Sequence, residues 1–236
     1  MNPKSKLPRS PIIMISECFP PNSATMRFHS PVHDLLDSHS YSLDENSLTF
    51  DFEITEDDLE EVKNLHNEWF PIKYHDGFYT SLLAKKVGII LVKANVTLHA
   101  LKMNDQIGEE YPQTKRIILG LLTFQMKASK SRYTTWTQKL QSVFYDFHGY
   151  EILTLGVLFE FRKLHLGSAM LNKLILYAKI DKKEFNIIFF KLHVIEHNYS
   201  GLKFYEKNGF KVLKVRKDYY TIEGQKYNCV KLIKYI

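Results

Sequence analysis

The chain has 236 residues, 44% hydrophobic and 25% charged, enough apolar material for one packed domain with a tail, which excludes wholesale disorder. Its longest apolar run, about Ile117 to Phe124, falls far short of the ~20 residues that a membrane-spanning helix needs. Two cysteines, Cys18 and Cys229, exclude a disulfide framework and a cysteine zinc site, and fit a reducing compartment.

Charge is uneven along the chain. Residues 1–45 carry 4 Lys/Arg and 5 Asp/Glu, residues 46–181 carry 16 of each, and residues 182–236 carry 12 Lys/Arg against 5 acids. The last stretch therefore supplies the whole surplus, a field suited to nucleic acid, a membrane surface or a polyanionic cofactor, or simply a solvated face.

Six of the eight prolines fall within the first 31 residues, so residues 1–45 read as a largely disordered tail, with the folded domain beginning near Ser47 and running to 236. Lys4, Lys6 and Arg9 precede only the short run Ile12–Ile15 before Pro20 and Pro21, which is no secretory signal. Ser47–Ile54 alternates with period two as a strand, and Thr55 followed by Glu56, Asp57 and Asp58 reads as the N-cap of a helix that Pro71 stops. Gly77–Leu83 reads as a short helix, and Ile89–Leu101 and Arg116–Met126 as strands. Residues 129–147 read as an irregular hairpin, Tyr150–Val157 as a strand, and Ser168–Ile180 as an amphipathic helix. Ile187–Val194 has the continuous apolarity of a central strand. A short helix over Ser200–Lys207 ends at Asn208-Gly209, and Phe210–Val215 and Lys226–Tyr235 close the chain as strands. The order implies an α/β (α+β) domain with a mixed sheet flanked by helices.

The segment Phe161-Arg162-Lys163-Leu164-His165-Leu166-Gly167-Ser168 joins a strand to a helix. Free N–H groups, the positive helix end and two cations converge there, which predicts an anion site, against the plainer reading of an ordinary turn.

Here the sequence resembles a known family. Arg162-x-x-His165-x-Gly167-Ser168 is similar to the pyrophosphate loop of the GNAT acetyltransferases, and Asn198-x-x-Gly201-x-x-Phe204-Tyr205-x-x-x-Gly209-Phe210 to their second coenzyme A signature. Trp69-Phe70-Pro71-Ile72-x-Tyr74, Ile152–Val157, Leu192-His193-Val194 and Tyr219-Tyr220 further resemble the N-alpha-acetyltransferases of types 60 and 50, type 60 in particular, over residues 47–236.

The resemblance implies the GNAT acyl-CoA N-acyltransferase fold, with the pantetheine arm of acetyl-CoA against the backbone of Leu155, Gly156 and Val157. Arg162, Lys163, Leu164, His165, Leu166, Gly167 and Ser168 then hold the pyrophosphate, and Asn198, Tyr205, Glu206, Lys207 and Asn208 line the other side of the coenzyme. It implies His193 as general base, Tyr74, Tyr219 and Tyr220 around the first residues of a peptide, and Phe70, Ile72 and Leu153 shaping its side-chain pocket.

Two positions depart from the family pattern. His165 stands where the loop has its first glycine, and Glu151 stands where the family pairs a tyrosine with the histidine. Tyr150 is one position away, on the opposite strand face, so Glu151 rather than Tyr150 is the expected second catalytic residue beside His193, a carboxylate able to remove a proton through ordered water.

The implied reaction is direct acetyl transfer from acetyl-CoA to a protein N-terminus, without an acyl-enzyme, at a retained Met followed by an apolar or basic residue. At neutral pH an α-amine costs ~1 kcal/mol to deprotonate and a lysine ~4–5 kcal/mol, which favours the N-terminus over lysine or histone acetylation. A coenzyme-binding interaction module without turnover is the alternative of a different class. No metal, nucleic-acid partner or membrane span is expected, and the oligomeric state is open. The relatives' Golgi-anchoring helices have no counterpart before Ile236, so the cytoplasm is the expected location, with Golgi membrane association as the alternative.

Overall fold

The structure is a computed structural model that describes Leu36 and residues 39–100, 113–128, 148–185 and 187–236. The elements run β1 (His39–Asp51), α1 (Glu56–Trp69), α2 (Asp76–Leu83), β2 (Gly88–Ala100), β3 (Gln113–Ala128) and β4 (His148–Val157). A short 3-10 turn, Phe159–Phe161, leads into α3 (Leu166–Phe185), followed by β5 (Ile187–Ile195), α4 (Tyr199–Lys207), β6 (Lys211–Ile222) and β7 (Gln225–Tyr235). The predicted hairpin at 129–147 and Cys18 lie outside the described residues.

The strands form one seven-stranded sheet in the order β1-β2-β3-β4-β5-β7-β6, with only β4 and β5 parallel. This is the mixed sheet flanked by helices that the resemblance implied. The predicted start at Ser47 is corrected: β1 begins at His39 and pairs His39–Asp44 with Asn95–Ala100 of β2. The register slips between Asp44 and Thr49, which breaks the period-two pattern and hides the first half of the strand from a sequence reading. The boundary of the predicted tail at residue 45 moves accordingly, and Leu36 is buried in the core. Likewise β6 runs past the predicted end at Val215, through a second slip between Arg216 and Tyr220.

Local chemistry explains the element ends. Thr55 accepts from the Asp58 backbone N–H, and the Asp58 carboxylate accepts from the Thr55 N–H, a reciprocal cap that opens α1. Asn198 opens α4 by accepting from the Gly201 N–H at 2.7 Å. A Cβ on Gly201 would sit 2.6 Å from the Asn198 side chain, so the Asn-x-x-Gly spacing is a steric requirement of the cap.

Two features of β4 position everything that follows. Its ladder with β3 pairs Thr123 with Thr154 and Phe124 with Ile152, so Leu153 is an extra residue, a β-bulge. The bulge reverses the alternation. Before it, Tyr150 faces α3 and its hydroxyl donates to Asp181; after it, Thr154 faces α1 and meets His66. Beyond Glu151, β4 keeps its ladder with β3 but has no further pairing with β5, which continues along β7 instead. The sheet is therefore forked between β4 and β5.

Candidate active site

At the base of the fork, the parallel register sets Glu151 beside Lys191, and the Nδ1 of His193 lies 3.5 Å from Glu151 Oε1. Both side chains are about 95% buried, at 4% and 5% exposure. Gln125 Nε2 donates to the other carboxylate oxygen at 3.5 Å, and Lys127 Nζ lies 3.7 Å from it. With Nδ1 facing a carboxylate, that nitrogen carries the proton and Nε2 keeps a lone pair; Nε2 is buried and has no hydrogen-bond partner. Burial pushes the imidazole pKa down to about 3, and Lys231, Arg216, Lys191 and Lys214 push in the same direction, so His193 is neutral at physiological pH. The Tyr219 ring stacks on it with centroids 5.5 Å apart. Tyr150, pointing to the other face, is not part of this group.

A wall of aromatic rings stands over the α1 side of β4. Trp69 covers Gly156 so closely that a Cβ there would lie 2.1 Å from the indole. Phe70, Tyr74 and Phe78 pack edge-on or tilted around His66, with Tyr74 and Phe78 centroids 4.7 Å apart. The Tyr74 hydroxyl is buried without a hydrogen-bond partner, and desolvation holds its pKa above the ordinary phenol value. Tyr220 is buried beside Cys229, and burial raises its pKa, with a smaller push in the same direction from the Tyr74 phenol. Ile72 packs on the same cluster. The sequence reading thus placed Phe70, Ile72, Tyr74, Tyr219 and Tyr220 near one another from segments about 150 residues apart, and the fold joins them. Leu153, the bulged residue, is buried in the core.

Sequence reasoning missed the polar floor under this wall. His66 is fully buried, its Nε2 is 3.4 Å from Thr154 Oγ1, and Thr154 and Thr123 share a 2.6 Å hydrogen bond. Desolvation alone lowers the His66 pKa to about 3. It also missed Lys191 and Lys231, which strand register sets beside Glu151 and His193. The spacing Lys191-x-His193, two residues on one strand face, was the available signal.

The open end of the fork leads to the predicted anion loop. Lys163 and His165 take left-handed backbone, with φ of 66° and 58°. The histidine at the position of the family's first glycine therefore adopts the conformation that glycine usually supplies, and its side chain is exposed. The first turn of α3 leaves the N–H groups of Leu166, Gly167 and Ser168 without helical partners. Arg162 is turned back, its Nε donating to the Val157 carbonyl at 3.2 Å. Lys163 and Leu164 are exposed.

Across the fork, the ring of Phe204 packs over Gly167, so α4 stands beside the start of α3. Asn198 Nδ2 and the Tyr205 hydroxyl are buried without hydrogen-bond partners. The Tyr205 ring packs between Phe204 and Phe210 as core, while Glu206 and Lys207 are exposed and Asn208 caps the helix through Phe204 O. A strand edge from Ile152 to Val157 free of β5, a helix N-terminus and an unused buried amide donor suit a long ligand with an extended polar arm and a phosphate group. Among the described residues no group of His, Cys, Asp or Glu is arranged to hold a metal ion.

Comparison with known proteins agrees with this architecture. Residues 113–210 match the acetyltransferase (GNAT) family. N-alpha-acetyltransferase 60 of Danio rerio is 28% identical over 169 residues, 71% of this chain and 62% of that protein. N-alpha-acetyltransferase 50 of Danio rerio is 27% identical over 168 residues, 71% of this chain and 77% of that protein. The chain thus spans under two thirds of the length of the type 60 relative. Among solved structures, Arabidopsis thaliana NAA60 in complex with a bisubstrate analogue aligns with a TM-score of 0.61 and 21% identity, over 80% of this chain and 99% of that one. The same protein in complex with acetyl-CoA aligns with the same TM-score. Fold and sequence agree over the same elements: the domain has the GNAT fold, residues 113–210 carry the match to that family, and the chain is similar to N-alpha-acetyltransferases 60 and 50.

Proposed function

We propose that the protein transfers an acetyl group from acetyl-CoA to the free α-amine at the N-terminus of a polypeptide. The observation that carries this reading is the fork between β4 and β5, with the His193–Glu151 pair at its base and the Arg162–Ser168 loop at its mouth. When bound, the coenzyme supplies an acetyl thioester. The residues that hold it are the free edge of Leu155–Val157, the N–H groups that open α3, and the amide of Asn198.

The chain's own contribution is to present a neutral amine in a dry site. Tyr74, Tyr219 and Tyr220 hold the first residue, and Phe70 and Ile72 enclose its side chain. The cations that depress the His193 pKa act equally on an incoming ammonium, so the amine sheds its proton more readily there than in water. For an α-amine this completes a step that costs only ~1 kcal/mol at pH 7. Nε2 of His193 takes the proton that the amine nitrogen loses as its bond to the acetyl carbon forms and makes it strongly acidic. Glu151 behind Nδ1 stabilises the imidazolium while it lasts, and His193 then returns the proton to the sulfur released as the C–S bond breaks.

The reading is tested by incubating the protein with acetyl-CoA and Met-Leu or Met-Lys peptides while following released thiol and peptide mass. Acetylation of the α-amine is the expected result. Release of no thiol, or acetylation confined to lysine in peptides with a blocked N-terminus, overturns it.

A further inference from the structure

The sheet face that carries His193 continues outward from the site as a field of positive charge. Register fixes its layout. Lys191 lies beside Glu151, Lys231 opposite His193, and Lys214 of β6 opposite Lys231, so His193, Lys231 and Lys214 form one row across three strands. The next row on the same face ends at Arg216, opposite Cys229. Adjacent strands are ~4.8 Å apart, so the row spans roughly 10 Å from the imidazole to the outer strand.

Little on this face neutralises these groups. Among the described residues, no carboxylate lies within ion-pair distance of Lys191, Lys214, Arg216 or Lys231; Glu151, which acts on Lys191 and Lys231 from further off, is shared with His193 and Lys127, so one carboxylate serves several cations. Glu196, at the end of β5, accepts from Asn228 Nδ2. Lys191 and Lys231 are half-buried; burial, and to a lesser extent their like-charged neighbours, hold both ammonium groups below the usual lysine range, although the Glu151 carboxylate pulls the other way on both. Lys214 is exposed and Arg216 half-buried, its guanidinium 5.3 Å over the Tyr219 ring. α3 and α4 pack on the opposite face, so neither helix covers this row.

Resting on the acetyltransferase reading, we propose that this face selects substrate proteins with acidic side chains just after the acetylated residue. An extended peptide advances ~3.3 Å per residue, so carboxylates at about its second to fourth positions fall along the row from Lys231 to Lys214. An acidic segment offers the counter-charge that the fold itself omits; a basic one meets four cations. This departs from the apolar or basic second residue that family resemblance implied.

The test uses three peptides, Met followed by three Glu, three Gln or three Lys, each fluorescently labelled at the far end. Binding is read by anisotropy and acetylation separately by mass. Wild type should bind and acetylate the Glu peptide about 10-fold better than the Gln peptide, and the advantage should vanish between about 0.02 M and about 0.5 M salt. Lys214→Glu should bring the ratio of Glu-peptide to Gln-peptide binding to about 1, a ratio that a change in the basal acetylation rate does not move. Equal or better binding of the Lys peptide, or a preference that survives Lys214→Glu, overturns the proposal. A single-stranded oligonucleotide that binds tightly while peptide charge has no effect overturns it in favour of nucleic acid. Because anisotropy needs no turnover, selective binding without acetylation defeats the enzymatic reading and leaves the acidic-segment reading standing.

Discussion

The Nδ1 of His193 and the Oε1 of Glu151 face each other across 3.5 Å, at the last rung where β4 and β5 still pair. That separation is at the outer limit of a hydrogen bond, and one carboxylate orients one imidazole. Replacing His193 with Ala should lower kcat by 10²–10⁴-fold, the usual range for a positioned base. Glu151→Gln, which keeps the shape and removes the charge, should cost about tenfold less than that. Steady-state rates with one peptide and saturating acetyl-CoA check both; equal rates in wild type and the two variants would remove the pair from the chemistry.

Tyr74 separates function from stability. Its hydroxyl is buried with no partner, an arrangement that costs about 1–3 kcal/mol when no ligand engages it. Tyr74→Phe should leave denaturant stability equal or higher by up to about 1 kcal/mol, while kcat/KM falls by about 10-fold or more. Parallel urea titrations and kinetics decide it, since a merely structural tyrosine would lose stability and activity together.

Asn198 has two jobs on two atoms. Its Oδ1 caps α4, while its Nδ2 is buried without a partner. Asn198→Ser keeps a capping oxygen and Asn198→Ala does not, so Ala should cost about 1 kcal/mol more stability than Ser. Both lose the amide donor and should weaken acetyl-CoA binding to a similar extent in calorimetry. Unchanged coenzyme affinity in both would confine Asn198 to capping.

The left-handed His165 is a backbone prediction. Glycine relieves the steric cost but adds unfolded-state entropy, so His165→Gly should change stability by less than about 0.5 kcal/mol. His165→Val, β-branched at φ 58°, should cost more than about 1 kcal/mol. Chemical denaturation reads both.

Acid should weaken the fold through the two buried imidazoles. His66 and His193 have folded pKa values of about 3 against an ordinary 6.5, so the unfolded chain binds more protons between these values. Stability is then fully present above pH 6.5 and falls as the pH drops toward about 3, by up to about 1.4 kcal/mol per pH unit for each group. His66→Phe, in a pocket of rings, should flatten this slope in denaturation curves collected across that range.

What the sequence could reveal was set by how far the causes lie apart. The Thr55 cap and the Arg162–Ser168 turn are each complete within a few residues, and each was read there; the Asn198–Gly201 cap is as local but was passed over, the helix being expected from Ser200. That Glu151 rather than Tyr150 faces His193 followed from strand alternation alone, because both lie before the bulge. The position of Leu153 as an inserted residue was not readable, since it exists only relative to β3. The row of cations was hidden for the same reason: β7 enters the sheet between β5 and β6, and no local window encodes that order.

The forked sheet is in effect two smaller sheets sewn together by the few rungs from His148 to Glu151. β1 to β4 form one leaf and β5 to β7 the other, with α3 and the strand bases as the spine. If the proposed coenzyme binds here, an amide-bearing arm spanning the gap would supply the missing stitches, and amide exchange along both inner strands should then slow together.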